Sequence, residues 1–337
     1  MPSWMKRVLN PVWYHGHTAR PPFFEGWYFK VVSPDRRTRY AIIPGIFLSD
    51  DPTKQHAFIQ VFDGVSGRAT YHRFTADQFH AADDRFDVRI GANHFTEDGL
   101  TLDIDDEHRT VRANIRFEGR TPYPITRVSP GIMGPFAWLP FMECYHGIVS
   151  LDHRVNGELI DDETQISFAN GRGYIEKDWG KSFPAGWVWM QTNHFDVLGT
   201  SLTASIAITP MLGGWFPGFI AALWHNGTLY RFTTYTGARV ERLEIGEQSV
   251  LWVLRGMQHR LEVFAHRATA SDLPGPTRHG MEMRVPETLN ASIRVCLSSI
   301  DNTRLPLFEG EGVCAGLEIA GDTERLRAAV DTSLKTS

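Results

Sequence analysis

The chain has only three cysteines in 337 residues, Cys144, Cys296 and Cys314. An odd number of widely spaced thiols fits neither a disulfide framework nor a zinc-ligand spacing, so reduced thiols in a cytoplasmic protein are expected. Basic residues are not in excess either. With 34 Lys and Arg against 39 Asp and Glu the net charge is −5, which argues against a nucleic-acid partner. No long apolar run is present. The N-terminal MPSWMKRVLNPVW is too short and interrupted for a signal peptide. From Val197 to Tyr230 no charged residue occurs, yet SLTASIAIT alternates like a strand and PMLGGWFPG breaks it with Gly and Pro. That stretch therefore reads as two strands and a turn, since a spanning helix needs about 20 continuous apolar residues. There is no phosphate-cradling Gly loop, no Gly-x-Ser-x-Gly elbow and no His-Glu-x-x-His helix, and neither a metal nor a cofactor is expected.

What the chain has in surplus is aromatic: ten Trp and 21 Phe. They concentrate in Gly173 to Phe195, GYIEKDWGKSFPAGWVWMQTNHF, beside ionisable groups. Exposed strands rarely carry so many indoles, and dry cores rarely carry so many charges. An apolar cavity with polar groups at its edge tolerates both. If Tyr174 to Trp179 is extended, Tyr174, Glu176 and Asp178 share one face, and Ile175, Lys177 and Trp179 the other. Two neighbouring carboxylates on a desolvated face would keep one proton near neutral pH. In the following segment Trp187, Trp189, Gln191, Asn193 and Phe195 share a face, an apolar wall ending in amides. The bland alternative is a half-buried strand with one salt bridge.

A phrase recurs. FFEGWYFK from Phe23 and FPAGWVWM from Phe183 align Gly26 with Gly186 and Trp27 with Trp187, 160 residues apart in a chain of 337. Two related halves follow, with Glu25 present in the first and Ala185 in its place in the second. In both halves short alternating runs are separated by turn residues, such as Asn226-Gly227, and only Asp322 to Val330 reads as a helix capped by Asp322. The expected fold is all-β: two antiparallel lipocalin-like β-barrel domains, residues 1–169 and 170–337, with a short C-terminal helix.

Other segments carry weaker signals. Residues 1 to 22 look irregular, and His15 and His17 read as a loop pair. Residues 129–142, SPGIMGPFAWLPFM, are uncharged and rich in Gly and Pro, fitting a lid, a membrane-touching loop or a buried connection. Glu143 and His146 follow it as further site candidates. Residues 269–287 read as a polar loop.

FFEGWYFK and EKDWGKSFPAGWVWMQTNHF together resemble the tocopherol cyclase family, with LWHNGTLYRF and CAGLEIAG in the right order. The resemblance covers Phe24, Glu25, Gly26, Tyr28, Phe29, Lys30, Glu176, Lys177, Trp179, Gly180, Phe183, Pro184, Trp187, Trp189, Gln191, Asn193 and Phe195. Asp178 stands where the family usually has Asn, and Lys181 and Ser182 where it has Gly. The resemblance implies two lipocalin-like barrels and closure of a prenylated hydroquinone to a chromanol, an intramolecular cyclisation with a small lipophilic substrate.

Such a closure needs a proton on an alkene, a tertiary cation and capture by a phenol oxygen. Alkenes are feeble bases, so the donor must be a neutral acid in a water-poor pocket. Glu25, Glu176 and Asp178 are the candidate acids. Trp27, Trp179, Trp187 and Trp189 would wall the cation, each aromatic face contributing roughly 0.5 to 2 kcal/mol. Tyr28, Gln191 and Asn193 would help bind substrate. Lys177 beside an acid would lower its pKa, so it should pair with one carboxylate or point away. Hydration of an isoprenoid double bond, or storage of a lipophilic ligand without chemistry, are the alternatives. A carbohydrate-active enzyme fits less well, because carboxylates two residues apart on one strand rarely flank a scissile bond.

Overall fold

Strand-length runs of alternating side chains leave little room for helix, and the computed structural model, which describes residues 3–211 and 213–335, is almost entirely antiparallel sheet. Within the described residues the chain forms two units. The first runs up to Phe183 and takes in Asp272–Arg284, and the second takes Pro184–Ser271 and the chain from Val285 onward.

The first sheet is organised around strand Phe23–Val32. On one side it continues through Arg39–Leu48, His56–Asp63 and Ala69–Phe74. On the other it pairs with Gly171–Gly180, and from there the order runs through Cys144–Asp161, Thr110–Glu118 and Gly99–Asp105 to Phe79–Ala81. Gly171–Gly180, expected to belong to a domain opening at residue 170, is thus hydrogen-bonded along both edges inside the first sheet. The division of the chain comes after it because those two ladders hold it there. Odd-numbered residues of Phe23–Val32, among them Trp27, Phe29 and Val31, enter the core with Ile42, Ile59, Phe95 and Ile175. Burying each such side chain contributes about 1.5–3 kcal/mol.

The second sheet repeats the order. Gly186–Thr192 starts a meander through Ser201–Met211, Gly214–His225 and Thr228–Thr233, and its other edge pairs with Pro306–Gly321, followed by Met283–Ser299, His259–His266, Ser249–Arg255 and Arg239–Ile245. The two copies of the repeated phrase therefore occupy equivalent strands, but they do not face the same way. Trp27 belongs to its core. In the second copy Val188 and Met190 fill the core, so Trp187 and Trp189 point from the other face.

The uncharged stretch forms the hairpin of Ser201–Met211 and Gly214–His225. Asn226 and Gly227, both with positive φ (48° and 74°), close the next one. Helix Thr323–Lys335 lays Leu326 and Val330, one turn apart, into the second core, and the Arg325 amide donates to Asp322 Oδ1 at 3.0 Å. Two readings need correction. Residues 1 to 22 hold a short helix, Ser3–Val8. Residues 269–287 contain strand Ser271–Gly275, paired with Met283–Ser299. The 129–142 connection has Ile132, Met133 and Met142 buried but Phe141 exposed.

Candidate functional site

Register decides which candidates meet. Across the pairing of Phe23–Val32 with Gly171–Gly180, Glu25 lies opposite Trp179, Trp27 opposite Lys177, and Tyr28 opposite Glu176. Opposed residues share a face and neighbours along a strand alternate. Glu25, Trp27, Lys177 and Trp179 are therefore on the core face, and Tyr28, Tyr174, Glu176 and Asp178 on the other.

On the core face Glu25 and Lys177 are fully buried and form an ion pair through Oε1 and Nζ. Lys177 also donates to the Trp13 carbonyl at 2.6 Å and lies 4.9 and 4.7 Å from the ring centres of Trp27 and Trp179. The His15 amide donates to Glu25 Oε2 at 2.8 Å, and the His15 ring stacks on Trp179 at 4.3 Å. Tyr145 stacks on Trp179 at 5.4 Å. Gly147 makes room for this, since a Cβ there would sit 3.2 Å from Trp179. Burial would raise the Glu25 carboxyl, but Lys177 and His15 outweigh it and hold it below the usual range. Burial likewise lowers the His15 imidazole, with Lys177 adding to the effect. Glu25 is thus a paired carboxylate and lacks the neutral form required of a proton donor.

On the opposite face, strand Cys144–Asp161 places His146 across from Asp178 and Ile148 across from Glu176. His146 Nδ1 lies 2.8 Å from Asp178 Oδ1, and Nε2 lies 3.4 Å from Glu176 Oε2. The Tyr174 hydroxyl donates to Glu176 Oε2. Burial pulls the His146 pKa down, but the charges of Asp178 and Glu176 prevail and raise it to about 9. At neutral pH an imidazolium is therefore shared between two carboxylates. Ligand atoms of these three residues lie within 4.8 Å of one another, a spacing that can hold a metal ion. The imidazole turns one nitrogen toward each carboxylate, at hydrogen-bond distance to Asp178 and at ion-pair distance to Glu176. The arrangement also suits proton exchange.

Other candidates are placed elsewhere. Glu143 accepts from Ser182 Oγ at 2.9 Å and from Arg278 at 2.8 Å, a clamp between loops. In the second unit Trp187, Trp189 and Gln191 share the face turned from that unit's core, and Asn193 is buried just beyond the strand. Trp187 Nε1 donates to Glu318 at 2.7 Å, and Glu318 stands opposite both Trp189 and Glu287. Gln191 is fully buried, and neither of its amide atoms has a hydrogen-bond partner among the described residues. Sequence reasoning missed His15 and Tyr145 as parts of these clusters, and it put Tyr174 on the face of Glu176 without naming it a site residue. Tyr174 was visible through its alternation with Glu176, but nothing local marks His15 as a partner of Glu25.

The Tocopherol cyclase-like family matches residues 95–321. The chain belongs to the tocopherol cyclase-like family. It is 26% identical over 361 aligned positions to "Tocopherol cyclase, chloroplastic" of Zea mays, covering 88% of this chain and 71% of the maize protein. It is 24% identical over 290 positions to "Probable tocopherol cyclase, chloroplastic" of Oryza sativa, covering 68% of this chain and only 60% of the rice protein. Solved structures share the fold at low identity. CghA with Sch210972 has a TM-score of 0.55 at 13% identity, covering 90% of this chain and 89% of that one. Kievitone hydratase from Nectria haematococca has a TM-score of 0.50 at 11% identity, covering 92% and 94%. These structures share the overall fold, and of the two buried glutamates Glu176 lies within the residues the family matches while Glu25 precedes them.

Proposed function

We propose that this tocopherol cyclase-like protein is an acid–base enzyme that closes a prenylated hydroquinone to a chromanol, with Glu176 as the proton donor. The observation that carries the reading is His146 lodged between Glu176 and Asp178, with Tyr174 on the same carboxylate. An imidazolium flanked by two carboxylates is stable while water screens the separated charges. When an apolar substrate replaces that water, charge separation becomes costlier, and the Nε2 proton moves to Glu176 to give a neutral carboxylic acid. Glu176 then protonates the alkene, and the phenol oxygen attacks the tertiary cation. The phenol proton returns to the cluster, so the enzyme ends with the protons it began with and the reaction is an isomerisation. Asp178 fixes the imidazole through Nδ1 and keeps Nε2 toward Glu176.

Glu25 has a different part in this reading. It is committed to Lys177 on the other face, so it supports the fold beneath the site. The kinship with chloroplastic tocopherol cyclases supports a prenyl hydroquinone substrate. The same cation can instead be captured by water, and the fold is shared with a protein named as a hydratase.

The test is turnover of a prenyl hydroquinone by the wild-type chain, Glu176→Gln and His146→Asn, with products resolved by mass spectrometry. Both variants should lose about 10²-fold or more of the rate. Unchanged chromanol formation by Glu176→Gln would remove the proposal. A product heavier by one water would move the reading to hydration, and ligand returned unchanged by wild type to a carrier.

A further inference from the structure

Two segments of the first unit meet at its surface without taking part in the proton-sharing cluster. Trp4, on helix Ser3–Val8, packs edge-on against Trp138 with ring centres 6.0 Å apart. Trp138 Nε1 donates to the Arg127 carbonyl at 3.1 Å. Arg127 and Val128 form the tip of a tight turn in which the Thr126 amide donates to the Ser129 carbonyl at 3.0 Å. Trp4, Val128 and Phe141 are 55%, 77% and 53% exposed. Large apolar side chains on a protein surface are ordinarily scattered singly. Here they belong to two short segments joined through an aromatic contact, the mark of an interaction surface.

The charges around them narrow the partner. No acidic residue occurs before Glu25, nor from Thr121 to Met142, although the whole chain carries −5. Lys6, on the same helix as Trp4, and Arg127, whose carbonyl accepts from Trp138, are exposed, while Arg7 turns to Asp83 at 3.8 Å. Indole and phenyl groups with lysine and arginine at their edge match the boundary of a bilayer containing anionic lipid: the rings enter the headgroup layer and the cations meet its negative surface. A second copy fits less well, because a two-fold contact would press together two faces that both carry Lys6 and Arg127 and contribute no acidic residue from either segment.

We propose that the face formed by Trp4, Trp138, Val128, Phe141, Lys6 and Arg127 docks this protein on an anionic lipid bilayer. The face is joined to the candidate site. The Tyr145 hydroxyl donates to the Leu139 carbonyl, and the connection that bears Phe141 leads into the strand that carries His146. Under the reading of a prenyl hydroquinone as substrate, docking brings the enzyme to the phase where such a molecule is dissolved, and the purpose of the surface rests on that reading.

The experiment is flotation of the full chain with vesicles of phosphatidylcholine alone or mixed with phosphatidylglycerol. It is performed on wild type, Lys6→Glu/Arg127→Glu and Trp4→Ala/Phe141→Ala, with thermal melts to show that the variants fold. Wild type should float with the anionic vesicles and be released by salt. The charge reversal should weaken partitioning on the order of tenfold, and the aromatic variant should also lose it. No partitioning of wild type, or equal partitioning of all three, overturns the proposal. So does light scattering that reveals a dimer dissolved by Trp4→Ala/Phe141→Ala. Flotation requires no turnover, so its failure leaves the proposed reaction standing, and a catalytic failure leaves the membrane result intact.

Discussion

Glu25 and Glu176 stand on opposite faces of one antiparallel ladder. Glu25 shares its face with Trp179, and Glu176 shares the other with Tyr28. Each carboxylate is buried against a different base, Lys177 in the first case and His146 in the second. Lys177 also donates to the Trp13 carbonyl, whereas His146 faces Asp178 as well as Glu176 and can exchange a proton between two acids. That difference assigns the two acids to support and to chemistry.

The support role gives a stability prediction. Lys177→Met leaves Glu25 buried without a cation and should destabilise the chain by about 3–5 kcal/mol in denaturant unfolding. The double variant Glu25→Leu/Lys177→Met should recover most of that loss, because it removes both charges from the core. A double variant no more stable than Lys177→Met would show that the pair contributes something other than charge balance.

Two histidines set opposite pH limits. His146, raised to about 9, contributes stability that is fully present below its ordinary pKa near 6.5 and is lost as pH rises through 9. The contribution at stake is roughly 3 kcal/mol at most, taking about 1.4 kcal/mol for each tenfold change in proton affinity. His153, buried and lowered to about 3, acts the other way. Its contribution is present above pH 6.5 and is lost as pH falls toward 3, because the unfolded chain takes up the proton first. Melting temperature against pH should therefore fall on both sides, and His146→Asn should flatten the alkaline limb alone. An alkaline limb unchanged in His146→Asn would contradict the assignment.

Gln191 offers a trade between stability and binding. Replacing a buried amide that has no partner among the described residues with leucine should leave stability unchanged or raise it by roughly 1–3 kcal/mol. If the amide orients the substrate, Gln191→Leu should also raise KM for the prenyl hydroquinone more than it lowers kcat. A destabilised variant with unchanged KM would make Gln191 a structural residue.

Much of the architecture was legible because strand alternation is local. Tyr174, Glu176 and Asp178 were placed on one face by counting, and the ladder keeps them there. The repeated phrase pointed to two related halves, and its copies do lie on corresponding strands of two sheets. The same phrase misled over orientation. Aligned Trp27 and Trp187 suggested equivalent walls, yet one indole is in a core and the other points away from one. Which face of a strand packs inward is settled by the curvature and neighbours of its whole sheet, and an eight-residue match contains neither.

The sequence by itself determined the all-β class, the family, and the presence of acids and indoles on alternating positions of a few strands. Those properties follow from side-chain period and from residues contiguous in the chain. Only the tertiary structure decided that Lys177 neutralises Glu25, that His146 lies between Glu176 and Asp178, and that His15 returns to stack on Trp179. Glu25 and Lys177 are 152 residues apart, and His15 and Lys177 are 162 apart. Contacts at such separations are created by the order in which strands join a sheet, and that order then fixes the charge each acid carries.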